Sequence, residues 1–376
     1  MYLSDKESLD AFCERASKAR VIAVDTEFLR ERTYHPKLCL IQVATSEESA
    51  AIDPLLIDDL SSLVNLLVDE QITKVFHACT QDLEVILDAF GCLPTPVFDT
   101  QVAAAFLGQR QQIGYGALVE SYCGVRLPKA ESLTDWSRRP LDQDQLRYAE
   151  DDVIYLPRMY DRMIAELVRL DRWSWIEPEM AALTTASRTA RDPEEAYKHL
   201  KRSGSLTRRQ LAVAREVCAW RERTAAARDL PRKWIVSDEV LVETCKRTPR
   251  TVERLRTVRG TEQLSERDAR ALVAAVIRGV QCDPTQYPKV QHRDRPSQEM
   301  ESVLDLMYAM LRIVSDKSGV APQVIASRDD LYDLALGREG ARLATGWRYE
   351  LAGKTLSRLL TGEVGLTVKD GRLEVL

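Results

Sequence analysis

Two carboxylates separated by one residue, Asp25 and Glu27, end the apolar run Val21-Ile-Ala-Val24. In an extended strand, residues i and i+2 point to the same face, so both acids leave on one side. Like charges this close are costly unless something positive sits between them. A hard divalent cation such as Mg²⁺ or Mn²⁺ suits carboxylate oxygen best. For Asp25 and Glu27 alone, a solvated acidic turn is an equally good reading. Asp82 opens a later amphipathic segment, where capping and helix-dipole effects would explain it. Ligands gather at the strand ends of α/β sheets, so Asp82 is also a candidate third carboxylate. Tyr148 and Asp152 are four apart on a helical pattern, one above the other. Core packing accounts for Tyr148, but an aspartate buried beside it needs a partner.

Positioning these groups requires an α/β domain. Residues 4–17 predict a helix with Ser4 as N-cap. The acidic strand follows, and residues 37–45 predict a second strand, antiparallel to it. Residues 50–54 predict a third strand, ended by Pro54. Residues 57–69 read as a helix and 73–78 as a strand. Leu83, Ile86, Leu87 and Phe90 then repeat at helical spacing up to Gly91. Further helices are expected after Asp99 and from Gly114, followed by a polar loop over 127–140. Residues 141–156 predict the helix of Tyr148 and Asp152, and 156–183 one continuous helix. A meander followed by helices points to a mixed sheet.

The 376 residues exceed one ordinary core, so two or three domains are expected. Residues 1–190 carry 19 Lys and Arg against 31 Asp and Glu, whereas residues 205–295 carry 20 against 12. An acidic module joined to a basic one suits a metal-dependent enzyme with a polyanion-binding arm. No apolar run approaches the ~20 residues of a membrane span, and the N-terminus lacks the order of a secretion signal. Eight cysteines without a C-x-x-C, and four scattered histidines, fit a reducing cytoplasm without a zinc site.

The four acids and Tyr148, in this order, resemble the DEDD superfamily of 3′→5′ exonucleases in its tyrosine-bearing branch, and most closely the ribonuclease D family. The motifs are Asp25-Thr-Glu-Phe28, His77-Ala-Cys-Thr-Gln-Asp-Leu-Glu84 and Tyr148-Ala-Glu-Asp-Asp152. Supporting context is Leu38-Cys-Leu-Ile-Gln-Val-Ala44, Gly114-Tyr-Gly-Ala-Leu118 and Asp135-Trp-Ser-Arg-Arg-Pro-Leu141. The histidine-bearing branch places its histidine five residues before the last Asp, where this chain has Arg147. The resemblance implies a ribonuclease H-like (DnaQ-like) α/β domain with two divalent cations, Mg²⁺ or Mn²⁺. It implies that Asp25 bridges them, that Glu27 and Asp152 complete the water-side site, that Asp82 serves the other, and that Tyr148 orients water. Phe28, Gln42 and His77 are candidate contacts to the terminal nucleotide, with core packing the plainer reading for Gln42 and His77. Lys129, Arg138 and Arg139 are candidate phosphate contacts.

Two similar modules follow, each a helix, a Pro-containing link with an apolar triplet, then short helices. Both are similar to the HRDC helical bundle, the first more closely. Arg208, Arg209, Arg215, Arg221, Arg232 and Lys233 form a candidate RNA-gripping face on the first module. The expected layout is an exonuclease domain over 1–172, a linker over 173–205, and all-α HRDC-like bundles over 206–288 and 296–376. The expected activity is release of nucleoside 5′-monophosphates from RNA 3′ ends, tRNA precursors above all, by a cytoplasmic monomer without membrane contact. A DNA 3′→5′ exonuclease and a catalytically silent RNA-binding protein are the alternatives.

Overall fold

Apolar residues crowd the segment from Val21 to Val24 because it becomes the middle of a sheet covered on both faces. The computed structural model describes residues 1–128, 134–189, 192–288 and 296–376. Its strands are β1 (Tyr2–Leu3), β2 (Val21–Leu29), β3 (Lys37–Ala44), β4 (Ser49–Ile52), β5 (Thr73–Phe76) and β6 (Val97–Asp99), in the order β1-β4-β3-β2-β5-β6. β2 and β3 are antiparallel, with Asp25 opposite Gln42, while β5 and β6 continue parallel to β2. This is the mixed sheet that the sequence predicts.

Eight helices accompany it: α1 (Lys6–Ala16), α2 (Ser61–Val68), α3 (Thr80–Phe90), α4 (Thr100–Phe106), α5 (Tyr115–Cys123), α6 (Gln143–Ile154), α7 (Leu156–Arg169) and α8 (Trp173–Thr189). Leu9, Phe12, Leu63, Leu67, Leu83 and Ile86 of α1 to α3 form one core with the sheet. Phe98, Phe106, Leu118, Met159 and Met163 form a second, with α4, α5 and α7. Under α6 a smaller cluster joins Leu40, Trp136, Leu141 and Ala149.

Several local expectations are corrected. The cap of α1 is Asp5, which accepts the Ser8 N–H, and not Ser4. Ser4 merely links α1 to β1, whose two residues are too few to show alternation. α2 begins at Ser61, because residues 53–57 form a turn closed by the Ile57 N–H on the Asp53 carbonyl. The single helix expected over 156–183 is two. Asp171 adopts a left-handed φ of 53°, and the Arg172 N–H turns back to the Leu167 carbonyl at 2.8 Å. No glycine or proline marks that break in the sequence.

After 3₁₀ turns at Pro193–His199 and Ser203–Ser205 comes a bundle of α9 (Arg208–Arg228), α10 (Arg232–Ile235), α11 (Asp238–Arg247), α12 (Val252–Leu255) and α13 (Glu266–Gln281). Its core includes Leu211, Val217, Trp220, Leu241, Leu272 and Val276. Thr207 caps α9 through a capping box with Gln210, a local signal that the sequence carries openly. Then α14 (Gln298–Ser318), α15 (Pro322–Ile325) and α16 (Arg328–Ala335) each begin 90 residues after α9, α10 and α11 respectively. Helical turns to Leu360 and a hairpin, Leu366–Lys369 with Arg372–Val375, complete the chain. Among the described residues no helix is long and apolar enough to cross a membrane.

Arg139 departs from its expected role. Its guanidinium pairs with the fully buried Asp53 and also donates to the Cys39 and Trp136 carbonyls. The side chain staples the loop before α6 to the end of β4, leaving little of it for phosphate. Removing one partner of such a pair strands the other charge. Arg139→Ala is therefore expected to lower unfolding stability by about 3–5 kcal/mol in urea titrations. Arg138→Ala, at an exposed side chain 3.8 Å from Asp135, should change it by less than about 1 kcal/mol.

Candidate active site

Three of the predicted carboxylates converge. Asp25 and Glu27 leave β2 on one face, and α6 packs over that face with Asp152, so ligand oxygens of all three lie within 4.8 Å of one another. A β-bulge directly after Glu27 re-aims the strand there. Asp82 falls outside that group and accepts the Thr26 hydroxyl at 2.5 Å. Its charge is nevertheless the largest of those acting on Asp25.

The electrostatics follow from this crowding. Burial, then Asp82, Asp152 and Glu27, hold the Asp25 carboxyl well above the usual range. Burial and neighbouring carboxylates push Glu27 to about 8 and Asp152 to about 7. Asp82 rises to about 6 through burial, tempered by its bond from Thr26. The Tyr148 hydroxyl reaches Asp152 and tempers its rise, while burial pushes the phenol's own pKa up, so it keeps its proton. Among the described residues no lysine or arginine forms an ion pair with any of the four acids. A hard-oxygen donor set, crowded, half-buried and without a Lys or Arg ion pair among the described residues, fits divalent cations.

Other predicted residues fall into distinct environments. Phe28 is half-buried against the core under α3. The His77 ring bonds the Thr100 hydroxyl at 2.9 Å and the Ile113 carbonyl at 3.1 Å, and burial lowers its pKa. Gln42 is fully buried, and neither side-chain polar atom has a protein partner. Lys129 lies outside the described residues, and Arg138 is exposed. On the first bundle, Arg208, Arg209, Arg232 and Lys233 are exposed. One expectation fails there. Arg221 is buried, bonded to Asp238 at 2.7 Å and to the Val236 carbonyl, because helix packing turns it into the core. Arg215 is half-buried and reaches the Gln286 carbonyl and the Cys282 sulfur, each at 3.4 Å.

Sequence reasoning missed the braces. Asp99, at the N-terminus of α4, accepts the N–H groups of Ala78, Cys79, Gln101 and Val102. Ala78 has a φ of 59°, so Asp99 fixes a left-handed turn that leads into α3 and Asp82. Arg30 grips Glu84 with two bonds of 2.7 and 2.6 Å, tying the end of β2 to α3. The half-buried Tyr115 donates to the Asp151 carbonyl at 2.8 Å, anchoring α6 beside Asp152. Tyr115, Gly116, Pro128, Trp136, Tyr148 and Asp152 line a cleft of about 620 Å³. Only the Gly-Tyr-Gly and Asp-Trp-Ser segments hinted at Tyr115 and Trp136, and nothing local marks Asp99 as a brace.

A mixed sheet whose central strand and overlying helix gather carboxylates, with a tyrosine four residues before the last, defines a 3′→5′ exonuclease of the tyrosine-bearing DEDD class. A family model described as 3′-5′ exonuclease matches residues 1–168, and the HRDC domain model matches residues 210–276. Ribonuclease D of Sphingobium indicum is 42% identical over 382 residues, spanning 99% of this chain and 97% of that protein. Ribonuclease D of Jannaschia sp. is 42% identical over 386 residues, spanning 99% and 98%. The crystal structure of Escherichia coli RNase D, described as an exoribonuclease involved in structured RNA processing, superposes with a TM-score of 0.81 at 32% identity, covering 96% of this chain and 98% of that one. The chain belongs to the ribonuclease D family, and is a 3′→5′ exoribonuclease.

The raised pKa values have a consequence for folding. An acid with a folded pKa of 6 to 8 and an unfolded value near 4 binds more protons when folded, so raising pH through that window removes stability. The chelator-treated protein should therefore melt at progressively lower temperature from about pH 5 to pH 8. Millimolar Mg²⁺ or Mn²⁺ should flatten that trend, and Asp25→Asn should weaken it, as read by calorimetry.

Proposed function

We propose that Asp25, Glu27, Asp82 and Asp152 hold two divalent cations, Mg²⁺ or Mn²⁺, and that Tyr148 orients the attacking water at the 3′-terminal phosphodiester of an RNA. The convergence of Asp25, Glu27 and Asp152 within 4.8 Å carries this reading. When bound, the cations acidify water and shield charge on the reacting phosphate. Asp25, Glu27 and Asp152 would hold the cation that supplies the attacking water, and Asp82, on giving up its bond from Thr26, would hold the second together with Asp25. The Tyr148 phenol stays protonated and positions water by hydrogen bonding. Water enters in line with the departing 3′ oxygen of the penultimate nucleotide, and a nucleoside 5′-monophosphate is released.

The likeness to ribonuclease D supports RNA 3′ ends as substrate, with tRNA precursors as the first choice. We read residues 1–172 as the exonuclease domain, 173–205 as a helical linker, 206–288 as the HRDC domain, and 296–376 as a second, degenerate one. The 90-residue offset of three successive helices supports that last assignment. We further read the enzyme as a cytoplasmic monomer, in keeping with eight free cysteines.

The test is digestion of 5′-labelled tRNA carrying a 3′ extension, with matched DNA and 3′-blocked RNA as controls, with Mg²⁺, Mn²⁺ or chelator. Single-nucleotide shortening is expected only from a free 3′ end and only with a divalent ion. Equal or faster DNA shortening would overturn the RNA reading. Asp25→Ala or Asp152→Ala should lower kcat on the order of 10³-fold or more. Tyr148→Phe should keep thermal stabilisation by Mn²⁺ while lowering kcat by about a hundredfold.

A further inference from the structure

The two helical bundles use one corner of the repeat in opposite ways. In the second bundle the turn Pro322-Gln323-Val324-Ile325 is packed onto the catalytic domain. The Ala321 N–H there meets the Ala105 carbonyl at 3.4 Å, and Val324 joins the core containing Phe106 and Trp347. Ninety residues earlier, the corresponding turn is Arg232-Lys233-Trp234-Ile235. Ile235 is buried like Ile325, but Trp234 is 56% exposed, the most exposed tryptophan among the described residues. An indole left in water adds little to the stability of its bundle, unlike Val324 packed at the matching corner.

The turn is held rigidly. The Leu230 N–H bonds the Ala225 carbonyl, the Trp234 N–H bonds the Pro231 carbonyl at 2.8 Å, and Arg221 inside the bundle grips the Val236 carbonyl. Its place relative to the catalytic strand is also fixed. Asp229 accepts the Tyr34 and His35 N–H groups at 3.0 and 2.9 Å, and Glu222 accepts the Tyr34 hydroxyl at 2.9 Å. Tyr34 and His35 lie in the loop leaving β2, and Arg232 approaches Glu222 at 3.5 Å. These two acids are thereby directed onto the catalytic domain, while Arg232, Lys233 and Trp234 face solvent beside it. Lys233 makes no ion pair among the described residues.

We propose that Trp234, preceded on its turn by Arg232 and Lys233, is a stacking station for a nucleobase of single-stranded RNA upstream of the 3′ end held by the carboxylates. An exposed aromatic face next to basic side chains on a basic module suits a sequence-blind single strand, since every base has a π-face and the backbone carries a phosphate at each step. The inference rests on the exoribonuclease reading above and adds a place where the substrate is gripped outside the catalytic domain. It makes the enzyme sensitive to substrate length.

Two measurements test it. In chelator, where no cleavage occurs, titration with an unstructured oligoribonucleotide long enough to span both domains should quench tryptophan fluorescence, and Trp234→Phe should remove much of that quench. Trp234→Ala should weaken binding by about tenfold, within the range expected for one stacked base, and Trp234→Phe should restore most of it. In Mn²⁺, the ratio of kcat/KM on that oligonucleotide to kcat/KM on a dinucleotide should fall in Trp234→Ala by the same factor. Unchanged affinity in Trp234→Ala would overturn the proposal, as would a parallel loss on the dinucleotide, which would locate the effect in the catalytic domain. A wild-type chain that binds in chelator but cleaves nothing in Mn²⁺ would defeat the catalytic reading and leave the stacking station standing.

Discussion

Repulsion among crowded carboxylates is the constraint around which this molecule is arranged. Asp25 is half-buried in the middle of the sheet, where solvent relieves its charge only in part, and Asp82, Asp152 and Glu27 press upon it. Such a group is tolerated by protonation or by a cation, and the chain supplies no Lys or Arg partner among its described residues. Metal affinity and fold stability are thus two readings of one electrostatic strain. Asp82 shows the compromise directly, since its hydrogen bond from Thr26 partly offsets its burial.

Holding mutually repelling groups in place requires bracing from elements that carry no chemistry. Asp99 secures the turn before α3, Arg30 and Glu84 lock the end of β2 to the helix of Asp82, and Tyr115 ties down the backbone beside Asp152. Each of the two helices that bring an acid to β2 is thus tied by a polar bond near that acid. Apolar packing alone could slide along a helix face, whereas these directional bonds cannot do so without being broken.

The helical half is joined to this frame at two places of different character. The second bundle meets α4 and α8 through stacked Trp175 and Trp347, the edge of Phe106 and the ion pair of Arg348 with Glu179 at 2.8 Å. Arg172 reaches from the break before α8 to the Phe106 and Ser318 carbonyls. The first bundle meets the loop after β2 mainly through polar groups, Tyr34 and His35 on Glu222 and Asp229. One contact is built like a core, and the other of directional hydrogen bonds around a Tyr34 ring that packs against the bundle. The polar one touches the loop next to the active strand.

The sequence by itself determined the residue types and their order: two acids on an apolar strand, an acid at a helix start, and a tyrosine four before the last acid. Those features are local, because strand alternation and helical period act over a few residues, and so the mixed sheet and the helical second half were legible too. Tertiary structure alone decided which charges are available. Arg139 and Arg221 look like surface cations in the sequence, yet Asp53 and Asp238 engage them from other segments. It also decided that Asp82 turns to Thr26, that α7 ends at a left-handed Asp171, and that Trp234 stays in water where Val324 is covered. Charge and periodicity are written residue by residue, but a side chain's partner is settled only when remote parts of the chain meet.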